Sequence, residues 1–506
     1  MAGVELKNIF NTAKALLLRI PDNGLYVLLL FSLIVIEYFN FHLCPDVGIQ
    51  LHTLKNFVSG HGITLTGIDK NNLIVYEPVS LWPAGFVILL SPVYLITKAA
   101  IITTLVGKFI AFIFYILFLA KYMQHLQLEK LHKKIIILFC IFSVSPFIHF
   151  YPADAMATVL CLWGFYFNLS YQQNEKKGWL LASIFLMALS YFVKYSFLPF
   201  LFYPLAAFVL KERTTVFKKP AQFATIFFVT LAAGFIFYQL NILLVGKTAL
   251  GMGFDAFKGN AHWNQLSHAN GFLFGFGVVY EWAYQNFLRD HFGLHIRFNL
   301  LAIFVTACFY LFFISAFLKK KMQVANSPFI NSINISLSAG GLICFFLYFL
   351  SINNPGQTWM TPYWTFVEES RYYGPVIVIG LLNILILLLQ KKKVLAYLII
   401  AGFCIINICA YDFAVHHGFW GINADTYFKM RKALPPLADG NQVLGLPIVY
   451  FDEAAKKSDE YYYLLSQGII LVEKSQYSFF KNNDQKYTPY FLKRDAADAV
   501  KLSSAY

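Results

Sequence analysis

This chain of 506 residues is dominated by apolar runs of membrane-spanning length, separated by short basic clusters. A helix needs about 20 apolar residues to cross roughly 30 Å of hydrocarbon. Such runs fall near residues 24–42, 99–120, 134–150, 153–171, 178–193, 195–210, 222–245, 296–318, 330–352, 373–390 and 394–412. Hydrocarbon cannot hydrogen-bond a backbone, so segments that cross it close their bonds internally as helices. The expected fold class is an α-helical polytopic membrane protein with about eleven transmembrane helices. Charged residues make up only 13% of the chain, about half the share found in soluble domains. The net charge of +14 does not point to nucleic acid, because the excess lies in clusters between apolar runs, as in cytoplasmic membrane loops.

The basic clusters set a topology. One further apolar stretch, 79–97, contains Pro83 and Pro92 and makes a poor uninterrupted helix. If it crossed, Lys121, Lys130, Lys133 and Lys134 would face outward, against the positive-inside bias. Read as a re-entrant or juxtamembrane segment, it leaves the basic loops 121–134, 172–177, 211–219, 319–321 and 391–393 all cytoplasmic. The expected arrangement is an interfacial cytoplasmic helix over 1–23, a transmembrane domain over 24–412 with outer loops 43–98, 246–295 and 353–372, and an outer tail over 413–506. Near-balanced charge in that tail, 11 Lys/Arg against 10 Asp/Glu, suits a small extracytoplasmic α/β domain. Strands are expected at Gln442–Phe451 and Ile469–Val472, with a helix over 453–467. The N-terminus lacks the pattern of a cleaved signal: Ile9, Phe10, Ala13, Leu16, Leu17 and Ile20 recur at helical spacing. Six of the seven cysteines lie in apolar runs, so no disulfide framework or metal spacing is expected.

Under this topology, the polar residues that membranes penalise collect at the outer ends of helices. Asp46 follows the first span, Asp154 opens the fourth, Lys194 lies between the fifth and sixth, and Glu368, Glu369, Arg371 and Tyr372 lead into the tenth. Ionisable groups near membrane depth are functional candidates by default. Each also has a structural use: Asp46 and Asp154 as helix caps or dipole partners, Lys194 as a snorkelling cation, and Arg371 with Tyr372 as an interfacial anchor. Glu37, Lys98 and Lys108 are read as packing or interface residues.

The order of these features resembles the GT-C glycosyltransferases, polytopic enzymes that use polyprenyl-phosphate sugars and include protein O-mannosyltransferases and aminoarabinose transferases. The likeness lies in Asp46 after the first span, the Gly60-His61-Gly62 segment and Glu77-Pro78-Val79-Ser80-Leu81-Trp82-Pro83-Ala84-Gly85. It extends to the stretch from Ser145-Pro146 to Asp154-Ala155 and to Arg371-Tyr372, and spans residues 20–390 in order. The resemblance implies that Asp46 is the catalytic acid and that Asp154 lies near the site. It implies that Lys194 and Arg371 face a lipid phosphate, with Glu368, Glu369 and Tyr372 on the substrate side. Some members have paired acids where this chain has one Asp46, and its first outer loop has no Asp-x-Asp. No cofactor is therefore assigned, and a divalent metal stays open.

The expected reaction displaces the lipid phosphate at the anomeric carbon with an acceptor hydroxyl. An ordinary carboxylate is ionised at pH 7, so Asp46 could accept the hydroxyl proton as general base. Arg371 offers a planar fork to phosphate and Lys194 a point charge. Trp263, Tyr280, Trp282 and Tyr284 could stack on sugar rings or sit in the membrane belt. Expected partners are a polyprenyl-phosphate-linked sugar, a lipid, glycan or protein acceptor, and membrane lipids, at the cell membrane. The alternative is a transporter or lipid-linked glycan flippase using the same charges along a pathway. A membrane scaffold with a partner-binding tail is a third reading.

Overall fold

A computed structural model describes residues 15–39, 45–68, 74–79, 82–126, 128–143, 151–212, 219–246 and 373–391, four strands between 448 and 504, and isolated positions elsewhere. It is mostly helical. The first helices are α1 (Asp22–Phe39) and α2 (Pro45–Val58), followed by strands β1 (Thr64–Ile68) and β2 (Ile74–Pro78) and helix α3 (Gly85–Thr97). Then come α4 (Ala100–His125), α5 (Lys130–Ser143), α6 (Pro152–Asn174), α7 (Lys177–Val193), α8 (Tyr203–Lys211), α9 (Pro220–Val245) and α10 (Gly374–Lys391). A 3-10 turn, Tyr195–Phe197, and a helical turn, Leu198–Leu201, lie between α7 and α8. The single apolar run 195–210 therefore folds as three short pieces, because Pro199 and Pro204 interrupt its backbone ladder.

Among the described residues, two helices, α4 and α9, are both long and apolar enough to cross a membrane. Shorter apolar helices occupy 22–35, α3, α7, 195–211 and the residues of α10. The described residues do not count the eleven expected spans; runs 296–318 and 394–412 lie wholly or mainly outside them. Helix α3 has 13 residues, about 20 Å at 1.5 Å per residue and short of the hydrocarbon thickness. It ends at Lys98, whose left-handed backbone (φ 48°) returns its N–H to the Tyr94 carbonyl.

The chain divides into two compact units. One comprises 1–34, 110–239 and 250–413; the other comprises 35–109, 240–249 and 414–506. In the first, α6 and α7 form a helical hairpin packed at Gly164. A Cβ there would lie 3.0 Å from Met187 Cγ, and Ser183 Oγ donates to the Gly164 carbonyl at 2.7 Å. Buried Tyr122 donates to Asn383 of α10, and Tyr203 bonds to Ser332 at 3.0 Å. These hydroxyls avoid the penalty of an unmade buried bond. The N-terminal segment is tied to α5: Lys133 pairs with Asp22 at 2.7 Å, and buried Lys134 donates to the carbonyls of Leu17, Leu18 and Ile20.

In the second unit, β1 and β2 pair antiparallel with Thr64 opposite Pro78 and Ile68 opposite Ile74. The tail holds strands β3 (Ile448–Phe451), β4 (Ile470–Glu473), β5 (Tyr490–Arg494) and β6 (Val500–Ser504). They form a sheet in the order β4-β3-β5-β6, with β3 parallel to both neighbours and β5 antiparallel to β6. Two of these strands match the expected apolar runs. Parallel β3 and β4 require a crossover between them; the helix expected over 453–467 lies largely outside the described residues.

Candidate active site

The first group of candidate residues is carried by α2. Asp46 is its second residue, in the first turn, where the dipole favours an acid. The far half of α2 is fixed to β1 by a buried polar network. Asn56 Nδ2 donates to the Thr64 carbonyl at 2.9 Å and to Thr66 Oγ1 at 2.9 Å, and the His52 ring nitrogen Nε2 lies 3.1 Å from the same hydroxyl. At the turn before β1, Gly60 (φ 87°) and Gly62 (φ 74°) take backbone conformations that side chains disfavour. Beside them, the His61 and Tyr76 rings stack with centroids 4.0 Å apart.

Burial pushes the His52 imidazole down to about 4, with the Lys55 cation acting in the same direction. The unfolded chain, titrating near 6.5, therefore binds this proton more tightly than the folded protein does. The resulting stability is fully present above pH 6.5, declines as pH falls toward 4, and is lost below that. The total is about 3 kcal/mol. Unfolding midpoints recorded from pH 7.5 to 4.5 should fall, and a His52→Gln variant should fall less steeply over the same range.

The second group lies in the other unit. Pro152 opens α6, where its missing N–H and fixed φ suit the first turn. Asp154 follows in that turn and is buried, with 3% of its surface exposed. Lys194, the residue after α7, has extended backbone (φ −147°), and its ammonium donates to Asp154 Oδ1. The helical hairpin explains the meeting: α6 begins, and α7 ends, at the same end of the hairpin. Two residues expected to act separately are thus one buried ion pair. Asp154 Oδ2 is also buried and accepts no hydrogen bond, which leaves the carboxylate able to take a donor from a ligand.

One turn along α6, Thr158 is buried and its hydroxyl makes no hydrogen bond. It lies against Gly374, the first residue of α10, where a Cβ would overlap the Thr158 hydroxyl. The start of α10 can approach α6 this closely only because Gly374 has no side chain. Thr158 was not singled out by sequence; its position four residues after Asp154 was the available signal. Glu368, Glu369, Arg371 and Tyr372 lie outside the described residues, as do Trp263, Tyr280, Trp282 and Tyr284. Glu37 and Lys108, assigned no role from sequence, form a second buried ion pair. Among the described residues, no group of three or more His, Cys, Asp or Glu side chains could hold a metal ion.

No family model matches the sequence, and no curated protein matches it. Similarity is found to solved structures. The chain is similar to the crystal structure of ArnT from Cupriavidus metallidurans bound to undecaprenyl phosphate, at 13% identity and a TM-score of 0.46, covering 93% of this chain and 94% of ArnT. The apo form of the same protein gives 14% identity and a TM-score of 0.45. The arabinosyltransferase EmbB from Mycobacterium smegmatis gives 12% identity and a TM-score of 0.37, over 82% of this chain and 43% of EmbB. Likeness at this level concerns the fold alone.

Proposed function

We propose that this chain is an integral-membrane glycosyltransferase that moves a sugar from a polyprenyl-phosphate donor to an acceptor hydroxyl on the extracytoplasmic face. The observation that carries this reading is the buried Asp154–Lys194 pair at the hairpin end, with a carboxylate oxygen left open one helical turn from the Thr158 hydroxyl, which makes no hydrogen bond. A leaving lipid phosphate develops negative charge in a low-dielectric site and needs a positioned cation. Lys194 supplies that cation, and Asp154 holds it while the site is empty. Arg371 adds a bidentate fork for the same phosphate. Asp46 accepts the proton of the attacking hydroxyl. Glu368, Glu369 and Tyr372 contact the substrate.

The reading places about eleven spans in the membrane, with α3 re-entrant. Two observations support that map. Helix α3 is too short to cross, and the bonds from Lys133 and Lys134 to residues 17–22 keep the 121–134 loop beside the N-terminal segment. An even number of crossings between those segments meets this requirement; α1 and α4 supply two, and a crossing α3 would make three.

A second reading, a transporter or lipid-linked glycan flippase, is favoured by the Glu37–Lys108 pair, since ionised residues inside apolar spans also mark transport pathways. Mass spectrometry of lipid retained by the purified protein separates the two. The transferase reading expects a polyprenyl-phosphate monosaccharide, or polyprenyl phosphate as spent product. Retention of a multi-sugar lipid-linked glycan alone would favour the flippase.

A further inference from the structure

Glu37 and Lys108 sit inside apolar runs, yet they are bonded to each other: Lys108 Nζ donates to Glu37 Oε1. Both are buried, Lys108 completely. Lys108 is the ninth residue of α4, about 12 Å along that helix from its start. Its neighbour Gly107 lies against α3, where an added Cβ would be 2.6 Å from Leu90 Cδ2. Helix α3 is bonded at both ends. The Ala84 N–H at its start donates to Asn241 Oδ1 near the end of α9 at 2.8 Å, and the Thr97 and Thr103 hydroxyls meet at 2.7 Å. Polar bonds thus frame the end of α1, the start of α4 and the end of α9 around one short helix.

Stability does not require an ion pair here, because two desolvated charges often hold helices no better than apolar side chains of similar size. An ion pair differs in being a directional tie of fixed length. We infer that Glu37–Lys108 is a positioning pair: it ties α1 to α4, which packs through Gly107 on α3, and α3 in turn packs against α2, so that the pair sets the placement of Asp46 on α2. The inference rests on the reading of Asp46 as the base.

The test uses the full chain in lipid nanodiscs with four variants: Glu37→Gln, Lys108→Met, the exchange Glu37→Lys/Lys108→Glu, and the apolar pair Glu37→Leu/Lys108→Met. Two quantities are read: donor KM against kcat, and the rate at which a membrane-impermeant maleimide labels Cys44, two residues before Asp46. Each single variant should lower kcat roughly 10–100-fold, with donor KM changed by less than about twofold. Cys44 labelling should change by about threefold or more, and the exchange should bring both quantities back toward wild type. The apolar pair should fold but recover neither. Wild-type kcat and labelling in the apolar pair would overturn the inference, as would single variants that raise KM and spare kcat. If the wild-type protein transfers no sugar, the proposed function fails, and the labelling rates alone decide on the pair: restoration by the exchange upholds the tie, and its absence refutes it.

Discussion

Replacing Asp46 by Asn should lower sugar transfer by about 10²–10⁴-fold, the usual contribution of a positioned general base. The substitution keeps shape and hydrogen-bonding capacity while removing the site that takes the proton. Helix α2 should survive it, because losing an acid from the first turn costs only about 0.3–1 kcal/mol, and the buried bonds from His52 and Asn56 to β1 hold the other half. Expression, membrane insertion and donor binding should therefore stay near wild type while kcat collapses. Initial rates with purified wild-type and variant protein, at matched amounts, check this. Transfer at wild-type rate in Asp46→Asn would remove Asp46 from the chemistry.

Lys194→Met should be strongly destabilising. It leaves the Asp154 carboxylate, 4% exposed at its side chain, with no countercharge in a site that excludes water. Removing one partner of a buried ion pair costs roughly 3–5 kcal/mol, because the remaining charge stays desolvated. Adding Asp154→Asn to Lys194→Met removes that stranded charge and should recover most of the loss. Thermal unfolding of the two single variants and the double variant measures the coupling. The transfer rate should move differently: the double variant refolds but lacks the cation for the leaving phosphate, so its activity stays low. A double variant that regains both stability and activity would make the pair a structural tie alone.

The helical character of the chain and the ends of its main helices were legible because apolar runs and their interrupting prolines are local signals. Pro152 at the start of α6 and the Lys176–Lys177 cluster at the junction of α6 and α7 mark both helices. Asp154 and Lys194 were each legible as ionisable residues at helix ends. Their pairing was not, since it depends on α6 and α7 folding back on each other across 40 residues. The β1–β2 hairpin falls inside the expected outer loop 43–98. Thr64-Leu65-Thr66 alternates polar and apolar residues, but Gly67 and Ile68 break the pattern within a strand of five residues, too short to stand out against surrounding turn residues. Strands β5 and β6 were missed for a similar reason: lysines interrupt both short runs, and their pairing with each other supplies what their composition does not. Thr158 is a weak candidate in the sequence, because a threonine inside an apolar helix ordinarily bonds to its own backbone. Only the close approach of Gly374 gives it a place at the site.

On the proposed function, this chain makes a covalent bond between a sugar and an acceptor, and does not merely move a lipid-linked sugar across the bilayer. Purified protein in proteoliposomes, given a polyprenyl-phosphate sugar labelled in the sugar and an acceptor bearing a free hydroxyl, tests it most directly. Label should appear on the acceptor with one polyprenyl phosphate released per transfer, and both should be lost in Asp46→Asn. Label that changes leaflet while remaining on the lipid, equally in wild type and Asp46→Asn, would contradict that function.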